Sequence, residues 1–550
     1  MKRLLVIAAT FLFVAHPAGA TQSEKDTPEP LSPSLRPAES INPYQIMDLI
    51  CDGRSDSAMT ILGDEPWATS RDPMVLLLKA RVMRDQLPDE DNNKELLRDD
   101  VNRIHAVFDR VIELCDEATE NGALDPKFRY YRARAHFGKA QLHTLTKGYW
   151  SAGRAGGRAK KDFEEYLRHV PDDPDAQGDL GAFLYFADAI PGVVKFFSKL
   201  LFFPSGDREK GLRMIEYAAT NNGPFHSDYE IARAAIDLLF DGHLEKGITA
   251  MSALVDRYPN YTRLAEPYGV LAPLYPLKLR EFQRIEDKSL ARHLGRRGHD
   301  ANWNLVKRMH LHRAFSDMFF LSPATAVFSF TTLIDNPVAR PDWMLPLALL
   351  NRGILYAKSG RTTEAREAFS GVIESEEMKF FHDTAHKLLK GLDEPYEVIE
   401  LEELEFVGRI YDVRLAEASE GLERYRQNHG EDVIYHFYNG ELNLVAQEFE
   451  AAARAYMAAL DVEAPHIDQS YQMFAALRLA EIHGHEQRFR QAVDYIDEAL
   501  KYTHAAHLFN FMVNARRRYY TLLDDGTLTD LPTMLFQRVP QRTRPAYVGP

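Results

Sequence analysis

The chain has 550 residues, 27% of them charged, with a formal net charge of −15. An acidic balance of this size argues against broad nucleic-acid binding, which rests on basic contacts to phosphates. Two cysteines, Cys51 and Cys115, permit one disulfide without requiring it, since both could equally be small buried core residues.

Residues 1–20 read as a signal peptide. Lys2 and Arg3 precede the apolar run "LLVIAATFLFVA", and Ala18-Gly19-Ala20 forms a small-residue cleavage site. The mature chain is expected to start near Thr21 and to work outside the cytoplasm, in the periplasm or secreted. Residues 21–43 are rich in proline, serine and charge and read as a disordered leader. Nearly every segment that follows has helical periodicity, as in "ELLRDDVNRIHAVFDRVIELCDEA", and strand-like alternation bounded by hairpin turns is absent. The expected fold is all-α, an α-solenoid of helix pairs in two blocks. An N-terminal block spans 44–285, an irregular basic joint 286–339, a C-terminal block 340–523, and a flexible tail 524–550. The most apolar stretch, from Leu180 to Phe203, carries Asp188, Lys195, Lys199 and a Pro191-Gly192 break. Each charge costs roughly 2.5–3.5 kcal/mol at membrane depth, so this stretch is not expected to span a bilayer.

Repeats are the first test for an all-helical chain of this length. In the tetratricopeptide pattern, two antiparallel helices fill about 34 residues, and small residues let them touch while a large apolar residue fills the gap to the next pair. Gly353 is followed at that spacing by Ala365 and Phe369, Gly440 by Ala452 and Tyr456, and Ala480 by Ala492 and Ile496. Ala235 is followed by Gly247 and Met251, and Ala418 lies one repeat period before Ala452. The stretch "LLFFPSGDREKGL" from Leu200 falls into the same register. "SGDREKGL" aligns with "DGHLEKGI" from Asp241, so Gly211, Ile215 and Ala218 take the small, large and small positions of a second helix. A phosphate loop would need Lys-Ser/Thr after its last glycine, where Leu212 and Arg213 stand. The run "GVVKFFSKLLFF" before it is then a first helix, buried in the array or laid on a membrane surface with its lysines toward lipid phosphates.

From Gly148 to Tyr258 the chain resembles a group of exported bacterial tetratricopeptide-repeat proteins. They share Gly206-Asp207-Arg208 after an apolar helix and then the helix start Gly211-Leu212. The same signature is similar to that of the tetratricopeptide repeat protein 39 and inclusion-body-clearance family. The resemblance implies a helical repeat scaffold without known chemistry.

No catalytic, cofactor or metal site is expected. His310 and His312, and His483 and His485, are two apart and point to different helix faces. His504 and His507 have no third ligand at a companion spacing, and no Gly-x-Ser-x-Gly elbow occurs. Two basic stretches stand out. One holds Arg154, Arg158, Lys160 and Lys161 after Tyr149 and Trp150; the other runs from Lys278 to Arg313 and includes Arg292, Arg296 and Arg297. Such charges are either neutralised by acidic neighbours or form a docking surface for an acidic partner or anionic lipid. The expected function is that of an exported scaffold binding a protein or peptide partner through the first helices of its repeats, with Arg292, Arg296 and Arg297 among the contacts. The rival readings are a peripheral protein of an anionic membrane surface and an enzyme with an unrecognised site.

Overall fold

The computed structural model describes residues 41–63, 70–87, 94–121, 125–146, 148–189, 206–240, 244–261, 264–271, 275, 278–297, 303–335, 344–376, 379–393 and 396–526. The signal peptide, the leader up to residue 40, the apolar segment 193–203 and the tail from 527 lie outside the described residues. The fold is an all-α solenoid of packed helix pairs, and no strand occurs among the described residues. The chain divides into two compact units. The first holds residues up to 236, 247–264 and 291–302; the second holds 237–246, 265–290 and 303 onward.

In the first unit, helices Pro73–Asp85, Lys94–Glu120, Lys127–Leu145, Tyr149–His169, Pro174–Ala189, Arg208–Thr220 and His226–Ala235 pack antiparallel in sequence. One core joins Leu76, Leu77, Ile104, Val107, Phe108, Val111 and Cys115. A second joins Tyr130, Ala159, Phe163, Tyr166, Leu180 and Met214. Cys51 and Cys115 are both buried free thiols, so the bridge the cysteine count allowed is not made. Each is held by its own packing, and burial pushes the Cys115 thiol up to about 12.

One close helix contact in this unit is between glycines. Gly181 and Gly211 face one another, and a Cβ on Gly211 would lie 2.6 Å from the Gly181 carbonyl oxygen and 2.6 Å from the Tyr185 amide nitrogen. Ile215 and Ala218 on the same helix are fully buried, as is Gly247 on Leu244–Arg257. Asp207 starts the helix Arg208–Thr220 by accepting from the Lys210 amide at 3.0 Å, which satisfies one of the exposed N–H groups of the first turn.

In the second unit the pairs Met344–Lys358 with Thr362–Glu374, Val433–Val445 with Phe449–Asp461, and Gln469–His485 with Phe489–Ala499 pack against one another. The same device closes the first two. A Cβ on Gly353 would meet the Phe369 ring at 2.6 Å, and one on Gly440 the Tyr456 ring at 2.4 Å. Ala365, Ala418, Ala452 and Ala492 are fully buried on the partner helices, and Ala480 is buried on its own. Joints between pairs also recur. Tyr425 donates its hydroxyl to Asp432, which caps the next helix by accepting from the Tyr435 amide at 2.7 Å. In the first unit Tyr166 does the same to Asp173, which accepts from the Ala176 amide at 3.0 Å.

The turn inside four pairs of the second unit has one geometry. Gly360, Val413, Gln447 and Gln487 sit at φ of +72°, +59°, +66° and +57°. The residue after each, Arg361, Arg414, Glu448 and Arg488, donates its amide to a carbonyl five positions earlier at 2.8–2.9 Å. This is the helix stop that normally selects glycine, because a side chain there crowds the backbone. Val413 is the costly member, being β-branched and 63% exposed, so that its side chain gains little burial in return. Val413→Gly is therefore expected to stabilise the second unit by about 0.5–1 kcal/mol, read as a rise in its urea midpoint.

Candidate functional site

The first helices of a repeat array are where a bound segment would be expected to lie, so their facing side chains define the candidate site. In the first unit these faces are tied together by charge. Arg81 donates to both carboxylate oxygens of Asp228, at 3.3 and 2.9 Å, and lies 3.6 Å from Asp85. Asp85 in turn accepts from Ser55 and from Tyr261 at 3.4 Å. Arg134 pairs with Asp179, donates to the Tyr229 hydroxyl at 3.0 Å, and stacks its guanidinium 3.3 Å over the Phe225 ring. The Tyr229 hydroxyl lies 2.8 Å from the Asp175 carbonyl and 2.9 Å from the Asp179 carboxylate. Asp175 accepts from the Phe225 amide at 3.1 Å.

The electrostatics follow from this burial. Burial pushes the Asp175 carboxyl up to about 7 and raises Asp179 as well, against the pull of Arg134. Burial acts the same way on Asp228, but Arg81 beside it wins and holds the carboxyl below its usual range. Arg84, buried and donating to Gln141, is lowered to about 10 by desolvation. These groups bond to one another across helices and leave the face filled.

In the second unit the face is filled by the chain itself. The helix Trp303–Ser316 ends in a wide π-helical turn, Asp317–Leu321, whose five residues are all buried. Its Phe319 ring packs edge-on with Tyr471 and Phe474 at centroid distances of 5.8 and 5.1 Å. Phe320 meets Tyr411 and Phe474 at 5.7 and 5.2 Å, under the Arg478 guanidinium at 5.8 Å. Tyr438 donates its hydroxyl to the Phe319 carbonyl at 3.0 Å. The backbone comes close enough because Gly408 has no side chain; a Cβ there would lie 2.9 Å from the Leu321 carbonyl oxygen. Below this plug, Glu441 is fully buried and accepts from Tyr411, from Tyr456 at 2.7 Å and from Arg478 at 2.8 Å. Lys358 pairs with Asp468 and lies 4.5 Å from the Tyr471 ring. Phe319 and Phe320 thus pack against the first-helix residues Tyr411, Tyr438, Tyr471 and Phe474.

Trp150, Arg154, Arg158 and Lys161 are exposed along one line of the helix Tyr149–His169. Lys160, on another side of that helix, pairs with Glu164 at 3.6 Å. Arg292 is half-buried on the helix Leu279–Arg297, and the side chains of Arg296 and Arg297 lie outside the described residues. His312 is buried against Glu286 at 3.4 Å, while His310 is exposed. The side chains of His504 and His507 lie outside the described residues. Among the described residues no three His, Cys, Asp or Glu side chains converge as metal ligands, and no helix is long and apolar enough to cross a membrane.

Residue-by-residue reading of the sequence missed both the struts and the plug. Their only signal is charge set among apolar residues of a first helix, as in "LLLKARVMRD" for Arg81 and "FAALRLAEI" for Arg478.

Residues 347–376 match the tetratricopeptide repeat model. They cover most of the pair Met344–Lys358 and Thr362–Glu374. Among solved structures, the chain is similar to a human IFIT1 dimer with m7Gppp-AAAA. The identity is 13%, covering 76% of this chain and 93% of that one, with a TM-score of 0.22. It is also similar to the APC/C hetero-tetramer Cut9-Hcn1, at 12% identity over 88% of both chains with a TM-score of 0.21. At these TM-scores neither likeness carries an argument about arrangement or binding. No curated protein matches the sequence. One tetratricopeptide repeat is thus matched in sequence, at residues 347–376, inside an all-helical array.

Proposed function

We propose that this chain is a non-enzymatic scaffold, exported to a bacterial envelope, that holds a protein or peptide partner. The observation that carries this reading is how the ionisable groups of the interior are used. Arg81, Arg134, Glu441 and Arg478 each bond across helices, which makes them struts of an array rather than groups aimed at a substrate. The resemblance over residues 148–258 supports the same reading, as does the repeat match. The signal-like start supports export.

Because Phe319 and Phe320 pack against the first-helix residues Tyr471 and Phe474, the reading gives the partner other contacts, among them the basic segment of Arg292, Arg296 and Arg297. The test is capture from envelope extract on the immobilised mature chain. A partner retained saturably is expected to be released as salt rises, since ~0.15 M salt screens charges beyond about 8 Å. The triple reversal R292E/R296E/R297E is expected to weaken capture with no fall in melting temperature. Capture that survives both moves the contact elsewhere; absence of any saturable partner overturns the scaffold reading.

A further inference from the structure

The helix Tyr149–His169 has one face built differently from the rest of this acidic chain. It packs inward through Ala155, Ala159, Phe163 and Tyr166, all buried. Its opposite line carries Trp150, Arg154, Arg158 and Lys161, at positions that recur every three to four residues and so share one face. With a rise of about 1.5 Å per residue, this line is about 16 Å long.

Three observations set it apart. First, the cations Arg154, Arg158 and Lys161 stand without a carboxylate within ion-pair distance among the described residues, whereas the basic residues at the C-terminal end of the same helix are engaged, Arg168 with Glu165 at 2.5 Å and His169 with Glu165 at 3.9 Å. Second, the line begins with Trp150, which is 51% exposed with the Arg154 guanidinium 5.8 Å from its ring. An exposed large aromatic costs solvation in water, but its amphipathic ring is at home where headgroups meet acyl chains. Third, the face is open and shallow. Along Trp150 to Arg158 the neighbouring positions include Ser151, Gly153 and Gly157, so the tryptophan and the two arginines stand above small neighbours, while Lys161 is followed one turn on by Glu164 and Glu165. A peptide is gripped by a cleft; a row of raised cations with an aromatic at its end is matched to a plane of negative charge.

We propose that the stripe Trp150, Arg154, Arg158 and Lys161 is a docking surface for a bilayer carrying anionic phospholipid headgroups. The three cations reach the headgroup phosphates and the Trp150 ring enters the interface beside them. Each cation near such a surface contributes about fivefold in binding, so the three together give about a hundredfold, enough for reversible docking. This goes beyond the scaffold reading and is separable from it, since partner capture needs no lipid.

The experiment is sedimentation of the full mature chain with vesicles of phosphatidylcholine alone or with added phosphatidylglycerol. Binding is expected only with phosphatidylglycerol, falling as salt rises, and with a blue shift of tryptophan emission that Trp150→Phe diminishes. R154E/R158E/K161E is expected to reduce binding at least tenfold at an unchanged melting temperature. The neutral set R154Q/R158Q/K161Q serves if the reversal lowers that temperature. Absence of phosphatidylglycerol-dependent binding, or binding that survives these substitutions in a folded chain, overturns the proposal. So does soluble polyglutamate binding the stripe while vesicles do not, which would make an acidic polypeptide the occupant.

Discussion

Gly211→Ala is expected to destabilise the first unit by more than about 2 kcal/mol, a cost typical of forcing extra atoms into a packed contact. In an open helix the same change stabilises by about 1 kcal/mol, because alanine loses less backbone freedom on folding. The sign reverses here because the new methyl group meets backbone. The Gly181 carbonyl oxygen and the Tyr185 amide nitrogen both stand 2.6 Å from where it would go. Neither can rotate away as a side chain would, so the helices Pro174–Ala189 and Arg208–Thr220 must separate and uncover Met214 and Ile215. Gly211→Trp is expected to cost more still. Gly295→Ala is the internal control. Nothing lies within 4 Å of its added Cβ, so it is expected to be neutral or slightly stabilising. Thermal or urea unfolding followed by circular dichroism decides the matter, and a Gly211→Ala chain as stable as the parent would show that the glycine contact is not made.

The second large effect is expected at the buried charge cluster of the second unit. Arg478 is 2% exposed and Glu441 fully buried. Arg478→Met removes the countercharge and leaves the Glu441 carboxylate with only two tyrosine hydroxyls, from Tyr411 and Tyr456. Breaking a buried pair in this way costs about 3–5 kcal/mol, because the remaining ion has lost its hydration and its partner. Arg478→Met also withdraws the guanidinium from over the Phe320 ring, loosening the plug. The double change Arg478→Met with Glu441→Leu is expected to recover much of the loss, since two apolar groups of similar size remove the stranded charge. A double-mutant cycle of urea midpoints measures the coupling. Additive effects of the two changes would show that the two groups are not paired.

The reach of the sequence follows from the range over which each feature is encoded. Helix pairs are local. A glycine such as Gly353 or Gly440 receives an aromatic ring from the next helix at a fixed spacing, so the pattern is written within one repeat. The turn geometry is also local, although glycine marks it only at Gly360, and Val413, Gln447 and Gln487 carry no such mark. The struts are not local. Arg81 finds Asp228 across most of the first unit, and nothing in either segment names the other. Gly181 sits in "DLGAFLYFAD" as one more small residue, and its role depends on a helix that starts after an intervening segment. "DMFFL" reads as ordinary core, because burial fixes that Phe319 and Phe320 are covered but not by what.

That last feature sets an order of events during synthesis. Phe319 and Phe320 leave the ribosome well before the helices that cover them; the Tyr438 bond to the Phe319 carbonyl spans 119 positions. At about 5–20 residues per second, the aromatic pair waits roughly 6–24 s for its cover. During that interval the two adjacent phenyl rings lack the cover of Tyr438, Tyr471 and Phe474. A chain halted before Tyr438 would keep "DMFFL" without that cover.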